Sequence, residues 1–295
     1  YLDFFRNPKV FQYPKPKTKK ARKDSFTVYC RPYHTGPSLR LTDAGLQMPK
    51  LGLLKVRLYR KPLHWWSLRS VTITKTKTGK YFCSITFGYE AEPPEPVIPT
   101  PARTVGLNYS MSRFYVDSNG NSPELPPRMA AAREKLARMQ RKLSRMQQGS
   151  KNYEAQLHKI RLQYERIANQ RRDFAHQQSR RIANAWDAVC VRGDDLNVMA
   201  QRLKGGNVPD SGFGMFRAFL RYKLEAQGKA YIDVDPYAPA AKTCHACGHV
   251  NENLPARARS WVCPLCGEEL LREENTAQNI RDFGLMAVTR QPGVA

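Results

Sequence analysis

A chain of 295 residues with 41% hydrophobic content can bury a full core and divide into two or three compact units, which excludes a disordered polymer. Its 49 Lys+Arg against 25 Asp+Glu give a net charge of +24 and a pI near 10.0, more than solubility needs, so a polyanionic partner is expected and nucleic acid is the default. The absence of a run of about 18 apolar residues, or of a signal-peptide core, leads us to expect a cytoplasmic or nucleoid-associated protein rather than a helical membrane span. The start at Tyr1 in place of Met carries the further expectation of a missing upstream segment.

Residues 14–23, "PKPKTKKARK", are basic and punctuated by proline, and read equally as a solvated loop or a phosphate-binding arm. Short segments of period two follow: Phe26, Val28 and Cys30; Val56 and Leu58; Val71 and Ile73; Tyr81, Cys83, Ile85 and Phe87. Such alternation predicts half-buried strands, with Thr78-Gly79-Lys80 turning between the last two, in a small antiparallel barrel over about 24–90. Lys55, Arg57, Arg60, Lys75 and Lys77 give it a basic outer face suited to a nucleic-acid backbone. Trp65 and Trp66 either divide between core and surface or stack on bases; the residues leave both open. The four prolines of "AEPPEPVIPT" at 91–100 exclude helix and central strand, so this is read as a linker.

"VGLNYSMSRFYVDSNG", residues 105–120, predicts a strand, a tight turn and a second strand, with Asn108 polar at the first strand's centre. Met129, Leu136, Met139, Leu143 and Met146, then Tyr153, Leu157, Ile160, Tyr164 and Ile167, recur at heptad-like spacing about Gly149-Ser150, predicting an antiparallel helical hairpin. Its outward faces carry Arg133, Lys135, Arg138, Arg141, Lys142, Arg145, Lys159, Arg161, Arg166, Arg171 and Arg172, an excess of one sign that is explained by nearby phosphates. Ala188 to Val191 reads as a buried strand ending in two acids. "GFGMFRAFLRYKLEAQG" at 212–228 reads as a helix capped by Gly228, and "KAYIDVD" as the next strand, so this half is α/β.

Cys244-His-Ala-Cys247 and Cys263-Pro-Leu-Cys266, 15 residues apart, have the spacing that gathers four thiolates around zinc, with Gly248 and Gly267 for the tight turns. Four cysteines leave no open coordination position, so the zinc is structural, and His245 and His249 are bystanders. The scattered Cys30, Cys83 and Cys190 fit a reduced compartment better than disulfides.

In this order, "VGLNYS", "KLSRMQQGSKNY", "RRDFAHQQSRRIANAWD", "DDLNVM", "GFGMFRAFLRYKLEAQG", "KTCHACG", "WVCPLCG" and "NTAQNI" resemble the transposon-encoded TnpB proteins and their relatives, the compact type V CRISPR effectors. The resemblance runs from the barrel to about residue 284. It implies a prokaryotic protein of α/β plus β class: a wedge-type β-barrel domain over 1–90, the linker 91–100, and a ribonuclease H-like RuvC domain over 101–240 with the basic helical hairpin at 126–184. An inserted zinc ribbon over 241–270 and a closing RuvC-like segment and tail over 271–295 complete it. The implied partners are guide RNA and target double-stranded DNA, with Arg138, Arg141, Lys142, Arg145, Lys159, Arg171, Arg172, Lys75 and Lys77 as contacts.

Active relatives hold two Mg²⁺ ions about 4 Å apart on three carboxylates. The resemblance carries that triad onto Asn108, Asp194 and Glu273, and all three are altered. Asp194 and Glu273 keep their charge but move it by one methylene, which costs about 100-fold in rate. Asn108 loses the charge outright and cannot bridge two cations as a carboxylate does. Asp195, Asp233, Asp235 or Glu274 could rebuild a displaced cage. The leading expectation is an RNA-guided DNA-binding protein with a degenerate, cleavage-deficient site, acting by occupancy such as transcriptional repression or recruitment. Its competitors are an active Mg²⁺-dependent endonuclease and a guide-independent zinc-containing nucleic-acid binder.

Overall fold

The computed structural model describes residues 5, 24–33, 36–194, 212–255 and 257–289. The basic stretch 14–23, Asp195 and the "LNVM" that follows lie outside the described residues. The chain forms two compact units, Tyr1–Ala91 and Glu92–Ala295.

In the first unit, β1 (Ser25–Tyr29) pairs antiparallel with the long β7 (Ser67–Lys75), which pairs with β8 (Tyr81–Gly88). The turn at 76–80 closes through Thr76 N–H to the Lys80 carbonyl at 2.8 Å, with Gly79 at φ +86°. β2 (Pro32–Tyr33) and β3 (Gly36–Pro37) form a separate short pair, and β4 (Arg40–Thr42), β5 (Gly45–Met48) and β6 (Gly52–Leu54) form a meander. Leu39, Leu46, Met48 and Val71 form the buried centre. The strand expected around Val56 and Leu58 is absent: β6 ends at Leu54 and 55–58 carry no regular structure. Val56 still packs on the core. Alternation reports which side is buried; a strand also needs a neighbour for its backbone donors.

The second unit is built on a four-stranded sheet, order β10-β9-β11-β12, from β9 (Thr104–Ser110), β10 (Phe114–Asp117), β11 (Ala188–Arg192) and β12 (Ala230–Val234). β10 runs antiparallel to β9, whereas β11 is parallel to both β9 and β12. The run Ala188–Val191 is buried throughout because parallel strands are covered on both faces. One face receives α2 (Lys151–Ala185) and α3 (Phe213–Glu225), closing a core of Val105, Leu107, Val189, Val191, Phe174, Phe216 and Leu220. The other receives α4 (Arg272–Thr289), whose Ile280 joins Ala188, Cys190 and Ile232. The approach is close: a Cβ on Gly106 of β9 would stand 2.0 Å from the Ala277 carbonyl oxygen.

α1 (Pro127–Ser144) and α2 form the helical hairpin, with Gly149 at φ +81° and the Ser150 side chain accepting from Tyr153 N–H at 3.1 Å as N-cap. The seam holds two buried amides besides Ile160 and Ile167. Gln156 donates to the Met139 carbonyl at 3.1 Å and Gln163 to the Ala132 carbonyl at 2.9 Å. Tyr164, expected in the seam, is half exposed, its hydroxyl accepting from Gln140. Beyond Ile167 the same helix continues into the sheet core through Phe174, Ala175 and Ile182. α3 buries Phe213, Phe216, Leu220 and Leu224 and is followed by the left-handed Gly228. The proline-rich 91–100 has neither helix nor strand, yet Val97 N–H donates to the Gly228 carbonyl at 2.8 Å, fastening it to the α3–β12 turn.

Candidate functional site

Asn108 sits mid-strand in β9, across from Val116 of β10, and is half buried. Its Nδ2 donates to the backbone carbonyl of Glu273 at 3.3 Å. A carbonyl only accepts, so the contact demands an N–H; a carboxylate at 108 would set oxygen against oxygen. Glu273 is in the first turn of α4, and its own carboxylate accepts from the guanidinium of Arg113 in the β9–β10 turn. Asp194 lies two residues past β11. Its carboxylate is 3.1 Å from Arg192 Nε and its carbonyl accepts from Arg217 Nη1 at 2.9 Å. Burial pushes the Asp194 pKa up, while Arg192 and Arg217 pull it down.

Positions 108 and 273 are thus brought into contact, and Asp194 is engaged by arginines instead. Three of the other acids weighed from the sequence lie among the described residues. Asp233 pairs with Arg217 and Arg221, Asp235 accepts from Tyr237 N–H at 2.9 Å, and the Glu274 carboxyl lies against Gly120. Arg113, Arg192 and Arg217 had no role in the sequence reading; only nearness in the chain, for Arg113 and Arg192, could have signalled them.

Among the described residues, the one group of three or more His, Cys, Asp or Glu side chains close enough to share a metal ion is Cys244, Cys247, Cys263 and Cys266, all within 4.8 Å of one another. Two matching knuckles place them. Gly248 N–H donates to the Cys244 carbonyl and Gly267 N–H to the Cys263 carbonyl, both at 2.9 Å, with φ of +75° and +77°. Cys244 N–H then meets the His249 carbonyl, as Cys263 N–H meets that of Glu268. The hairpin of β13 (Ser260–Val262) and β14 (Glu269–Leu271) carries the second knuckle, and Trp261 and Leu254 pack beneath. Four thiols so arranged could bind zinc. His245 stays out of the group, its Nδ1 3.2 Å from Asp282.

Two asparagines of "NTAQNI" join this cluster to α4. Asn275 accepts from His245 N–H at 2.9 Å and donates to the Thr243 carbonyl at 2.7 Å; Asn279 donates to the carbonyls of Ala240 and Thr243. Both are buried, and their role was not legible from spacing.

Of the cations singled out, Arg138, Arg141, Lys142, Arg145, Lys159 and Arg172 are exposed on the hairpin. Arg171 is half buried, its aliphatic stem against Gly212, because α2 there turns its face to the core. Lys75 ends β7 with its ammonium 5.7 Å from the Tyr81 ring, and Lys77 lies in the following turn.

Two family models match the chain: "Probable transposase" over residues 86–202 and "Cas12f1-like, TNB domain" over 213–280. A Streptomyces pristinaespiralis protein described as "Putative RNA-guided DNA endonuclease" is 29% identical over 300 residues, covering 100% of this chain and 70% of that protein. InsQ of Escherichia coli K12, under the same description, is 28% identical and covers 96% and 71%. These matches support the TnpB/Cas12f1-like transposase family for this chain. A solved structure titled as a Cas12f1–sgRNA–target DNA complex shares the fold, with TM-score 0.52 and 16% identity over 73% of this chain and 46% of the solved one. The chain therefore spans about 70% of those two relatives and under half of the solved protein.

Proposed function

We propose that this chain is an RNA-guided DNA-binding protein whose RuvC-like site is cleavage-deficient and which acts by occupying its target. The family-model matches and the printed descriptions of its relatives support the guide RNA and double-stranded DNA as partners. The net charge of +24 and the exposed cations of the hairpin support phosphate contacts at Arg138, Arg141, Lys142, Arg145, Lys159 and Arg172, with Lys75 and Lys77 in the first unit. On this reading, 1–90 is the wedge-type barrel, 101–240 the RuvC-like domain, and 241–270 a ribbon whose four thiolates hold a structural zinc.

One observation carries the cleavage deficiency. The residue at the family's first-strand acid, Asn108, gives its amide to the Glu273 backbone, and the Glu273 carboxylate is already neutralised by Arg113. A site with one charge removed and another paired internally does not fit two Mg²⁺ ions, which need several unengaged oxygens. The test is to purify the chain with its copurifying RNA, sequence that RNA, and offer matched duplex DNA with Mg²⁺. A single structured RNA with binding and no strand scission is expected. Chelator-sensitive cutting by the unaltered chain would refute the deficiency, and a random RNA mixture would refute guided recognition.

A further inference from the structure

Resting on the reading that positions 108, 194 and 273 no longer seat divalent ions, we infer that Arg113 is the internal counter-ion of this site. Its guanidinium pairs with the Glu273 carboxylate, and with Asn108 it clamps residue 273 to the β9–β10 hairpin. Arg113 is a positioning residue.

The grip is on one residue at two chemically distinct atoms. The Glu273 carbonyl takes the Asn108 amide at 3.3 Å and the Glu273 carboxylate takes the Arg113 guanidinium. Both donors come from the same hairpin and both acceptors from the first turn of α4. The next residue, Glu274, presses its carboxyl against Gly120 at the far end of that hairpin; a Cβ there would stand 3.1 Å away.

A second, independent feature aims the arginine. Phe114, directly after it, is held at φ +74°, a region that bulky side chains rarely adopt. Phe114 is buried and locked by ring contacts to Phe174, Phe213 and Phe216 at 5.1, 5.8 and 5.3 Å. Arg113 N–H also donates to Ser110 Oγ at 3.3 Å. The left-handed step therefore fixes the turn that presents the guanidinium to α4. A guanidinium carries one permanent charge, cannot be chelated and activates no water, so the clamp works without metal.

The test uses the full chain without nucleic acid. Hydrogen exchange is read at the amides of residues 276–280, without added metal and with MgCl₂, in the parent, Arg113→Gln, Glu273→Gln and the double variant. The parent is expected to show the same protection in both buffers. Each single variant should exchange about threefold faster at low salt, as befits a half-exposed ion pair, and the double variant no faster than either single. Asn108→Asp combined with Arg113→Gln should make protection depend on Mg²⁺. Parent protection that already needs Mg²⁺, single effects that multiply in the double variant, or an Arg113→Gln variant that matches the parent would overturn the inference. Cleavage is not measured in this cycle, so a guide complex that cuts DNA would sink the proposed function without touching this result.

Discussion

Gly106→Ala is the sharpest probe of how α4 sits on the sheet. The added methyl would stand 2.0 Å from the Ala277 carbonyl oxygen, 2.6 Å from Arg281 N and 3.0 Å from Arg281 Cβ. Ordinary heavy-atom contact lies near 3.5 Å, so strand and helix must part by on the order of 1 Å. Two of the three obstacles are backbone, which cannot rotate aside. The displaced helix would loosen Ala277 and Ile280, both fully buried. Overpacking of this severity costs about 3 kcal/mol, or roughly 6–12 °C in melting temperature for a unit of this size. Gly149→Ala is the control: φ is +81° but its Cβ would meet nothing within 4 Å, so it should cost only about 1 kcal/mol for the left-handed conformation. Thermal unfolding followed by circular dichroism, with hydrogen exchange over residues 272–289, reads both. A Gly106→Ala protein that melts within about 2 °C of its parent, or no lower than Gly149→Ala, would show that α4 is not held as close as described.

Other expectations follow from the same geometry. Cys263→Ser should abolish stoichiometric zinc, measured by plasma mass spectrometry, and raise amide exchange through 243–271; retained zinc would mean that three thiolates suffice. Ser150→Ala removes the acceptor for Tyr153 N–H and should cost about 1 kcal/mol, seen as a lower urea midpoint with an unchanged slope. Because burial raises the Asp194 pKa above 3.8, the folded state favours the protonated carboxyl, so the ionised form weakens stability at neutral pH and the penalty fades as pH falls toward 3.8. Asp194→Asn should accordingly melt higher at pH 7 and lose that margin on acidification; equal melting at pH 7 would mean that Arg192 and Arg217 cancel the burial cost.

Periodicity made much of the second unit legible. The strand pair around Asn108, the buried run from Ala188, the helix before Gly228 and the hairpin about Gly149-Ser150 all appear, because apolar spacing and turn residues are local signals. The four cysteines also gather as their spacing requires. What escaped is what depends on partners distant in sequence. Gln156 and Gln163 look like surface residues until a second helix supplies carbonyls for their amides. The segment 55–58 alternates like a strand but pairs with no strand among the described residues. Asn275 and Asn279 resemble ordinary helix positions, and only the folded chain reveals the loop they hold. Arg113 lies 160 positions from Glu273, and its reach depends on a left-handed phenylalanine that no propensity would place there.

The buried amides of Asn275 and Asn279 have one more consequence. They weld the cysteine loop to the same helix that begins with Glu273, so the two cannot shift separately. Opening the thiol cluster would be felt along α4 at the Asn108 contact, since Asn275 and Asn279 lie two and six residues from Glu273. In that sense the cysteine module is a mechanical anchor for the first turn of α4, and its integrity decides where residue 273 can stand.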